Sequence, residues 1–196
     1  MLIRPDAMEP SAVLDLFRRR GALVEGHFRL SSGLHSSGYL QCALVLQHPG
    51  DAAALGAALA DRIRPLGATA VLSPALGGIV IGHEVARALG TRALFAERQE
   101  RALVLRRGFT LAPDDRVLVV EDVVTTGGST QETIDVARAA GAAVVGAASI
   151  VNRGGGAERL DVELVSLVSL AVPTYEPYRC PLCAQGMAVT KPGSRA

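Results

Sequence analysis

Residues 117–130 read Val-Leu-Val-Val-Glu-Asp-Val-Val-Thr-Thr-Gly-Gly-Ser-Thr. The apolar run at 116–120 predicts a strand that is covered on both faces, because apolar and polar residues do not alternate in it. Glu121 and Asp122 come directly off this strand, and a helix is predicted over 129–140, ending at Gly141. A strand, a glycine-containing turn and a helix form the repeating unit of parallel α/β sheets.

The turn between this strand and this helix has the chemistry of an anion site. Residues 125–130 offer backbone N–H groups, hydroxyl donors and the positive end of a helix dipole. Glu121 and Asp122 can accept hydrogen bonds from the vicinal hydroxyls of a ribose. The stretch lacks the Gly-Lys-Ser/Thr of a P-loop and the Gly-x-Gly-x-x-Gly of a dinucleotide fold. A site for a ribose 5-phosphate group is the favoured interpretation, and a plain capped glycine turn is the alternative.

Strands and helices alternate on both sides of this unit, which predicts an α/β fold with a central, mostly parallel sheet flanked by helices. The other predicted strands cover 69–73, 92–96, 143–151 and 162–168. The other predicted helices cover 9–20, with Ser11 as N-cap, 51–64 and 79–89. Residues 97–109, with four arginines and two glutamates, could form a mobile loop or a ribbon.

The two ends of the chain are more irregular than its middle. Residues 26–47 carry short apolar alternations broken by Ser-Ser-Gly, and residues 171–196 contain four prolines. We expect a single domain of residues 1–196. A small hood, from about 21–47 and 171–196, would sit on a core of about 48–170.

Charge and composition exclude several classes of protein. The net charge of +1 gives no general attraction to nucleic acid or to a membrane surface. No apolar run approaches the ~20 residues that a transmembrane helix needs. The N-terminus has no basic-then-apolar signal region, and three cysteines fit a reducing compartment better than a disulfide framework. These features predict a cytoplasmic protein.

Residues 117–130 resemble the signature of type I phosphoribosyltransferases, which bind 5-phosphoribosyl 1-diphosphate (PRPP). Four more segments narrow the resemblance to the orotate phosphoribosyltransferase family: residues 26–36, 73–78, 151–153 and 173–177. The resemblance covers roughly residues 20 to 195. It implies the type I phosphoribosyltransferase fold and a Mg²⁺-dependent transfer of the phosphoribosyl group to orotate. The products would be orotidine 5′-monophosphate and pyrophosphate, in the synthesis of UMP.

The resemblance also implies roles for individual residues. Glu121 and Asp122 would hold the ribose hydroxyls and count as catalytic. The turn at 75–78 would hold the pyrophosphate, at a place where the family has a cis peptide that does not precede proline. The full set expected to bind PRPP is Glu121, Asp122, Val123, Val124, Thr125, Thr126, Gly127, Gly128, Ser129, Thr130, Ala75, Leu76, Gly77, Gly78 and Arg98.

Orotate would be held by Arg153, together with Thr126 and Ser32. A planar guanidinium fork suits a carboxylate, whereas a neutral base needs no such partner. Residues 31–36 would close over the base with backbone N–H groups and hydroxyls, and His35 is interpreted as a polar surface residue. A purine or uracil phosphoribosyltransferase remains one alternative, and a PRPP-binding regulator without catalysis remains another.

The family also implies a homodimer in which the segment 97–109 reaches the neighbouring active site. Arg98 and Arg101 are the catalytic candidates there, at positions where many members have lysines. This chain has Lys191 as its only lysine, no histidine in that segment and Gly77 in the pyrophosphate turn. Since arginine stays protonated, its role would be to neutralise the leaving pyrophosphate electrostatically.

Mg²⁺ is expected to bind mainly through PRPP, and no protein ligand to it is assigned. Cys180 and Cys183 have the spacing of a pair of zinc ligands, but a structural zinc site needs four ligands. Only Cys42 and four histidines scattered along the sequence could complete it. The favoured interpretation of this segment is therefore a small apolar turn.

Overall fold

The computed structural model describes residues 8–30, 32–155 and 159–191. Its helices are α1 (Pro10–Arg19), α2 (Ala43–Leu46), α3 (Pro49–Ile63), α4 (Gly78–Leu89), α5 (Gly128–Ala139) and α6 (Pro181–Ala184). Its strands are β1 (Leu23–Arg29), β2 (His35–Leu40), β3 (Ala70–Pro74), β4 (Arg92–Gln99), β5 (Ala102–Leu105), β6 (Arg116–Val124), β7 (Ala143–Asn152), β8 (Leu164–Ser169) and β9 (Thr174–Tyr175). Within these ranges, no helix combines the length and the apolar character that crossing a bilayer requires.

The larger sheet has six strands in the order β5-β4-β3-β6-β7-β8. All its neighbouring pairs are parallel except β4 and β5, which form an antiparallel ribbon. The predicted α/β fold with a central, mostly parallel sheet is therefore confirmed. The carboxyl ends of β3, β6 and β7 meet at one edge, which is where open parallel sheets bind their ligands.

Helices cover both faces of this sheet, and β6 shows how the sequence specifies this. Leu118 and Val120 pack into one apolar cluster with residues such as Leu55 of α3. Val117 and Val119 pack into a second cluster that contains Ile134 of α5. Successive side chains of a strand point to opposite faces, so an unbroken apolar run is required where both faces are buried.

The smaller sheet forms the hood and joins the two ends of the chain. β1 and β2 form an antiparallel hairpin, and β9 pairs with β2 in the order β1-β2-β9. Farther along, Thr190 pairs with Phe28 in a parallel bridge. The expected hood, built from both ends of the chain, is therefore confirmed over the described residues.

The structure corrects two local predictions and decides between two alternatives at a third place. The N-cap of α1 is Glu9, not Ser11, and Pro10 occupies the first turn, where its missing N–H is no loss. β6 does not end before Glu121 but continues to Val124, because it pairs with β7 as far as Asn152. The segment 97–109 begins as a ribbon rather than a loop, because β4 extends to Gln99 and pairs with β5.

Candidate active site

Glu121 is held in place by two hydroxyl groups from the first turn of α5. Ser129 Oγ donates a hydrogen bond to Oε1 of Glu121 at 2.7 Å, and Thr130 Oγ1 donates one to Oε2. Burial raises the pKa of Glu121, and these two hydrogen bonds oppose that shift. Each carboxylate oxygen keeps a free lone pair, so the group is oriented to accept hydrogen bonds from a ligand.

Asp122 lies against the turn at 75–78. Its Oδ1 accepts a hydrogen bond from the backbone N–H of Val123 at 2.9 Å, and burial raises the pKa of its carboxyl group. A Cβ atom on Gly77 would lie 2.7 Å from the same oxygen, which is closer than a side chain can approach. On Gly78, a Cβ atom would lie 3.0 Å from the carbonyl oxygen of Val120. The two glycines therefore allow this turn to contact the acidic end of β6.

The peptide bond between Ala75 and Leu76 is cis, as the family resemblance implies. The backbone N–H of Ala75 donates to the carbonyl oxygen of Ala96 on β4 at 2.8 Å. Leu76 is 84% exposed, although leucine is normally buried. The turn therefore has an anchored beginning and an apolar tip that faces solvent.

The turn before α5 leaves its backbone donors open. Gly127 is the N-cap, with a φ of +82° that favours glycine, and no side chain caps the helix. The N–H groups of a first helical turn have no partner within the helix, so here they can bind an anion. The hydroxyl groups of this turn have two different positions. Those of Ser129 and Thr130 donate hydrogen bonds to Glu121, whereas Thr125 and Thr126 are exposed to solvent.

Arg153 lies at the same edge of the sheet. Its backbone N–H donates to the carbonyl oxygen of Val124 at 2.7 Å, which joins it to the end of β6. Its side chain is half-buried, and burial lowers the pKa of the guanidinium group. Over the described part of the chain, no carboxylate forms an ion pair with Arg153, and its buried Nε has no hydrogen-bond partner. A desolvated cation with an unused donor is typical of a site that receives an anion.

A cleft of about 480 Å³ opens beside Asp122, a volume within the range of small-molecule sites. Its lining includes Gln41, Leu46, Gln47, Leu76, Gly77 and Asp122. Gln41 and Gln47 flank α2 and were not predicted from the sequence, since nothing near them resembles a binding motif. Only the packing of α2 against the core places these two residues in the same cleft as Asp122.

A family model described as "Phosphoribosyl transferase domain" matches residues 44–174. An orotate phosphoribosyltransferase of Chlorobium phaeobacteroides is 48% identical over 96% of this chain and 98% of its own length. Another, of Carboxydothermus hydrogenoformans, is 52% identical over 92% of this chain and 95% of its own length. The chain belongs to the orotate phosphoribosyltransferase family.

Solved structures agree with this membership. The crystal structure of Mycobacterium tuberculosis orotate phosphoribosyltransferase in complex with Fe(III) dicitrate superposes with a TM-score of 0.71. It is 26% identical and aligns over 82% of this chain and 96% of that one. The predicted type I phosphoribosyltransferase fold, with its hood, and the predicted family are both confirmed.

The structure does not bring every residue expected from the orotate phosphoribosyltransferase family to the site. Arg98 is engaged in a bidentate ion pair with Glu132 on α5, at 2.7 and 2.8 Å. Arg101 is exposed at the tip of the β4–β5 ribbon. Ser32 is exposed in the β1–β2 turn, where its Oγ accepts a hydrogen bond from the N–H of Leu34. Among the described contacts, no hydrogen bond joins these three residues to the acid pair.

His35 is a further correction. It is buried, with 7% exposure, and not the polar surface residue that was expected. His27 is also buried, and Nε2 of His27 lies 2.9 Å from Nδ1 of His35. The histidines that look scattered in the sequence therefore include a buried pair in the hood.

Proposed function

We propose that this chain catalyses the Mg²⁺-dependent transfer of the 5-phosphoribosyl group from PRPP to orotate. Orotate N1 would form a bond to C1′ of the ribose while the bond from C1′ to pyrophosphate breaks, and the N1 proton would leave with the pyrophosphate. The products are orotidine 5′-monophosphate and pyrophosphate. The observation that carries the choice of orotate is Arg153, which is joined to the end of β6 and whose buried Nε has no hydrogen-bond partner among the described residues.

Each end of PRPP has a matching feature at the sheet edge. The N–H groups at the start of α5, with Thr125 and Thr126, would bind the 5-phosphate. Glu121 and Asp122 would accept hydrogen bonds from the ribose hydroxyls, since their oxygens keep free lone pairs. The turn at 75–78 would hold the pyrophosphate, because it lies against Asp122.

Arg153 favours orotate over uncharged bases. The carboxylate of orotate can accept both hydrogen bonds of a guanidinium fork, and the charge on Arg153 is already partly desolvated before the ligand arrives. Adenine, hypoxanthine and uracil carry no carboxylate and would leave the fork unpaired, which disfavours their binding. Ser32 and Thr126 would complete the orotate site if the β1–β2 turn closes over it.

The carboxyl groups present fit Mg²⁺ as a partner of PRPP. Mg²⁺ prefers oxygen ligands and commonly binds through one or two carboxylates together with substrate phosphates. Asp122 would supply one such oxygen, directly or through water, because it lies beside the pyrophosphate turn. When bound, Mg²⁺ would neutralise charge on the leaving pyrophosphate. Most of its ligands would come from PRPP and water.

We also propose that Arg98 and Arg101 act on the pyrophosphate of a neighbouring subunit in a homodimer. This requires Arg98 to leave Glu132, since both ends of its guanidinium group are occupied. The pair is partly exposed, so its net stabilisation is ~0–1 kcal/mol and a pyrophosphate can compete for the arginine. The single-domain organisation over 1–196 and the cytoplasmic location stay predictions.

The test is the absorbance of orotate over time, with purified protein, PRPP and Mg²⁺. Adenine, hypoxanthine and uracil are assayed in parallel for product formation. The proposal requires a loss of orotate that depends on both PRPP and Mg²⁺, with little turnover of the other bases. Binding of PRPP without turnover of any base would contradict catalysis and favour the regulator. Turnover of an uncharged base alone would contradict the role of Arg153.

A further inference from the structure

The hood brings together four side chains that the proposed reaction does not use: His27 on β1, His35 on β2, and Cys180 and Cys183 at α6. One ligand atom from each lies within 4.8 Å of all the others. Three of the four residues are buried, and Cys183 is exposed. Two histidine nitrogens and two cysteine sulfurs therefore converge from three separate elements of the chain.

Three nitrogen–sulfur distances in this cluster are close to the edges of a tetrahedron around one metal ion, and all four ligand atoms lie within 4.8 Å of one another. Sγ of Cys180 lies 3.5 Å from Nε2 of His27, and Sγ of Cys183 lies 3.3 Å from Nδ1 of His35. Zinc bonds of ~2.0–2.1 Å to nitrogen and ~2.3 Å to sulfur, in tetrahedral geometry, give nitrogen–sulfur edges of ~3.5 Å. The two nitrogens, 2.9 Å apart, would need to separate by only a few tenths of an ångström.

A backbone carbonyl sets the tautomer of His27. Nδ1 of His27 lies 2.8 Å from the carbonyl oxygen of Met187, which can only accept a hydrogen bond. The proton of a neutral His27 ring is therefore on Nδ1, and the lone pair of Nε2 points into the cluster. Histidines that bind metals are commonly oriented in this way, through a hydrogen bond from the other ring nitrogen to a carbonyl or carboxylate.

The segment around α6 has few other means of staying in place. α6 has four residues and none of them is buried. Beyond it, the described chain returns to β1 through two backbone hydrogen bonds of Thr190, each 2.8 Å long, to Arg29 and His27. Small elements that cannot bury an apolar core are commonly stabilised by a metal or a disulfide.

A disulfide between Cys180 and Cys183 is the competing use of these residues. It would consume both sulfurs and leave the two histidine nitrogens facing only each other. It would not explain why Nε2 of His27 lies 3.5 and 3.7 Å from the two sulfurs, or why Nδ1 of His35 lies 3.3 Å from Sγ of Cys183. Four ligands of mixed nitrogen and sulfur type in tetrahedral arrangement are the preferred environment of zinc, and are unsuited to Mg²⁺.

We propose that His27, His35, Cys180 and Cys183 bind one zinc ion in a closed structural site. Four protein ligands fill a tetrahedral shell and leave no position for water or substrate, so the ion would stabilise and not catalyse. It would fasten the C-terminal segment to the β1–β2 hairpin, whose turn contains Ser32. The site is separate from the PRPP site, and its test does not depend on the reaction.

The first experiment measures metal content by mass spectrometry on the full-length protein, purified under reducing conditions without a metal-affinity tag. We expect one zinc per chain, and we expect Cys183→Ser and His35→Ala to lose it. The matched controls are Cys42→Ala and His83→Ala, which remove the remaining free cysteine and an exposed histidine. Both should retain zinc fully. Equal zinc in Cys183→Ser and the wild type would overturn the proposal.

A second measurement does not depend on whether the variants fold. The wild-type protein is stripped with a chelator under reducing conditions and titrated with Co²⁺. Tetrahedral coordination with thiolate ligands would give strong visible bands and a sulfur-to-metal charge-transfer band at one equivalent. Thermal unfolding should move to lower temperature after stripping and recover with zinc. No such bands and no change in unfolding temperature would overturn the proposal, as would a Cys180–Cys183 disulfide in protein alkylated at lysis.

Discussion

Replacing Arg153 with alanine should weaken orotate binding far more than PRPP binding. Arg153 reaches the site from the end of β7, and no described contact pairs its Nε with an acceptor. A carboxylate that binds there would gain hydrogen bonds without breaking an ion pair inside the protein. The variant removes that gain and leaves the backbone hydrogen bond from Arg153 to Val124 intact.

The size of the effect follows from the surroundings of the guanidinium group. Hydrogen bonds to charged groups contribute ~1.5–3 kcal/mol, and losing one partner of a fully buried charge pair costs ~2–5 kcal/mol. Arg153 is only half-buried, so we take about 2–3 kcal/mol, in the lower part of this range. With ~1.4 kcal/mol per tenfold, the KM for orotate should rise by about 30- to 150-fold.

The assay is initial velocity by orotate absorbance, with orotate and PRPP varied separately so that each KM is fitted independently. Arg153→Lys should fall between wild type and Arg153→Ala, because it keeps the charge and loses the fork. Arg138→Ala is the matched control, since Arg138 forms an exposed ion pair with Asp161 away from the acid pair. Thermal unfolding of Arg153→Ala should not fall below that of the wild type, because a partly desolvated, unpaired charge is removed.

Two results would refute this reasoning. An equal rise in the KM for orotate and for PRPP would mean that Arg153 acts on the site as a whole. A loss of thermal stability in Arg153→Ala that matches the loss of activity would mean that the side chain supports the fold. Either outcome would remove the argument for orotate as the preferred base.

Three further predictions concern the acid pair and the ribbon. Gly77→Ala should lower kcat/KM at least ~10-fold, because its Cβ would meet Oδ1 of Asp122 at 2.7 Å and displace the turn or the acid. Asp122→Asn should sharply reduce turnover but raise the unfolding temperature at pH 7, since burial raises the pKa of Asp122 and its charge destabilises the fold. This gain should shrink as the pH falls through the raised pKa toward the ordinary value of 3.8. Arg98→Ala should lower kcat ~10- to 100-fold with little change in the KM for orotate, whereas Glu132→Gln should keep activity, because it frees the arginine.

Each of these three predictions has a control or an outcome that would contradict it. Gly50→Ala is the control for the first, because a Cβ atom at Gly50 meets nothing within 4 Å, and equal effects of both variants would count against a steric cause. For the second, unfolding is followed by circular dichroism from neutral to acidic pH, and a gain that does not depend on pH would contradict the burial argument. For the third, equal losses in Arg98→Ala and Glu132→Gln would show that the pair braces the ribbon and that Arg98 has no role in catalysis.

The sequence predicted most of the fold because its signals are local. The apolar run of β6 and the glycines that follow α4 and α5 specify their elements through residues only a few positions apart. What the sequence left open depended mostly on partners distant along the chain. Whether β6 ends before or after Glu121 depends on its pairing with β7, and the ion pair of Arg98 depends on a carboxylate on α5.

The histidines of the hood also depend on contacts with distant segments, which the sequence does not reveal. A single histidine in a polar stretch looks like a surface residue, so the sequence predicts an exposed His35. Its burial depends on β9 and α6, which lie about 140 residues later in the chain. The spacing of Cys180 and Cys183 was visible, but the two nitrogens beside them were not.

The sequence alone determined the parallel α/β core, the acid pair followed by a glycine-containing turn at a helix N-terminus, and the family. These properties are encoded in contiguous residues, where periodicity and turn chemistry act over a few positions. Only the tertiary structure decided that Ser129 and Thr130 orient Glu121, that Gly77 lies against Asp122 and that two histidines meet two cysteines. The physical reason is that these contacts join segments whose separation along the chain carries no information about their distance in space.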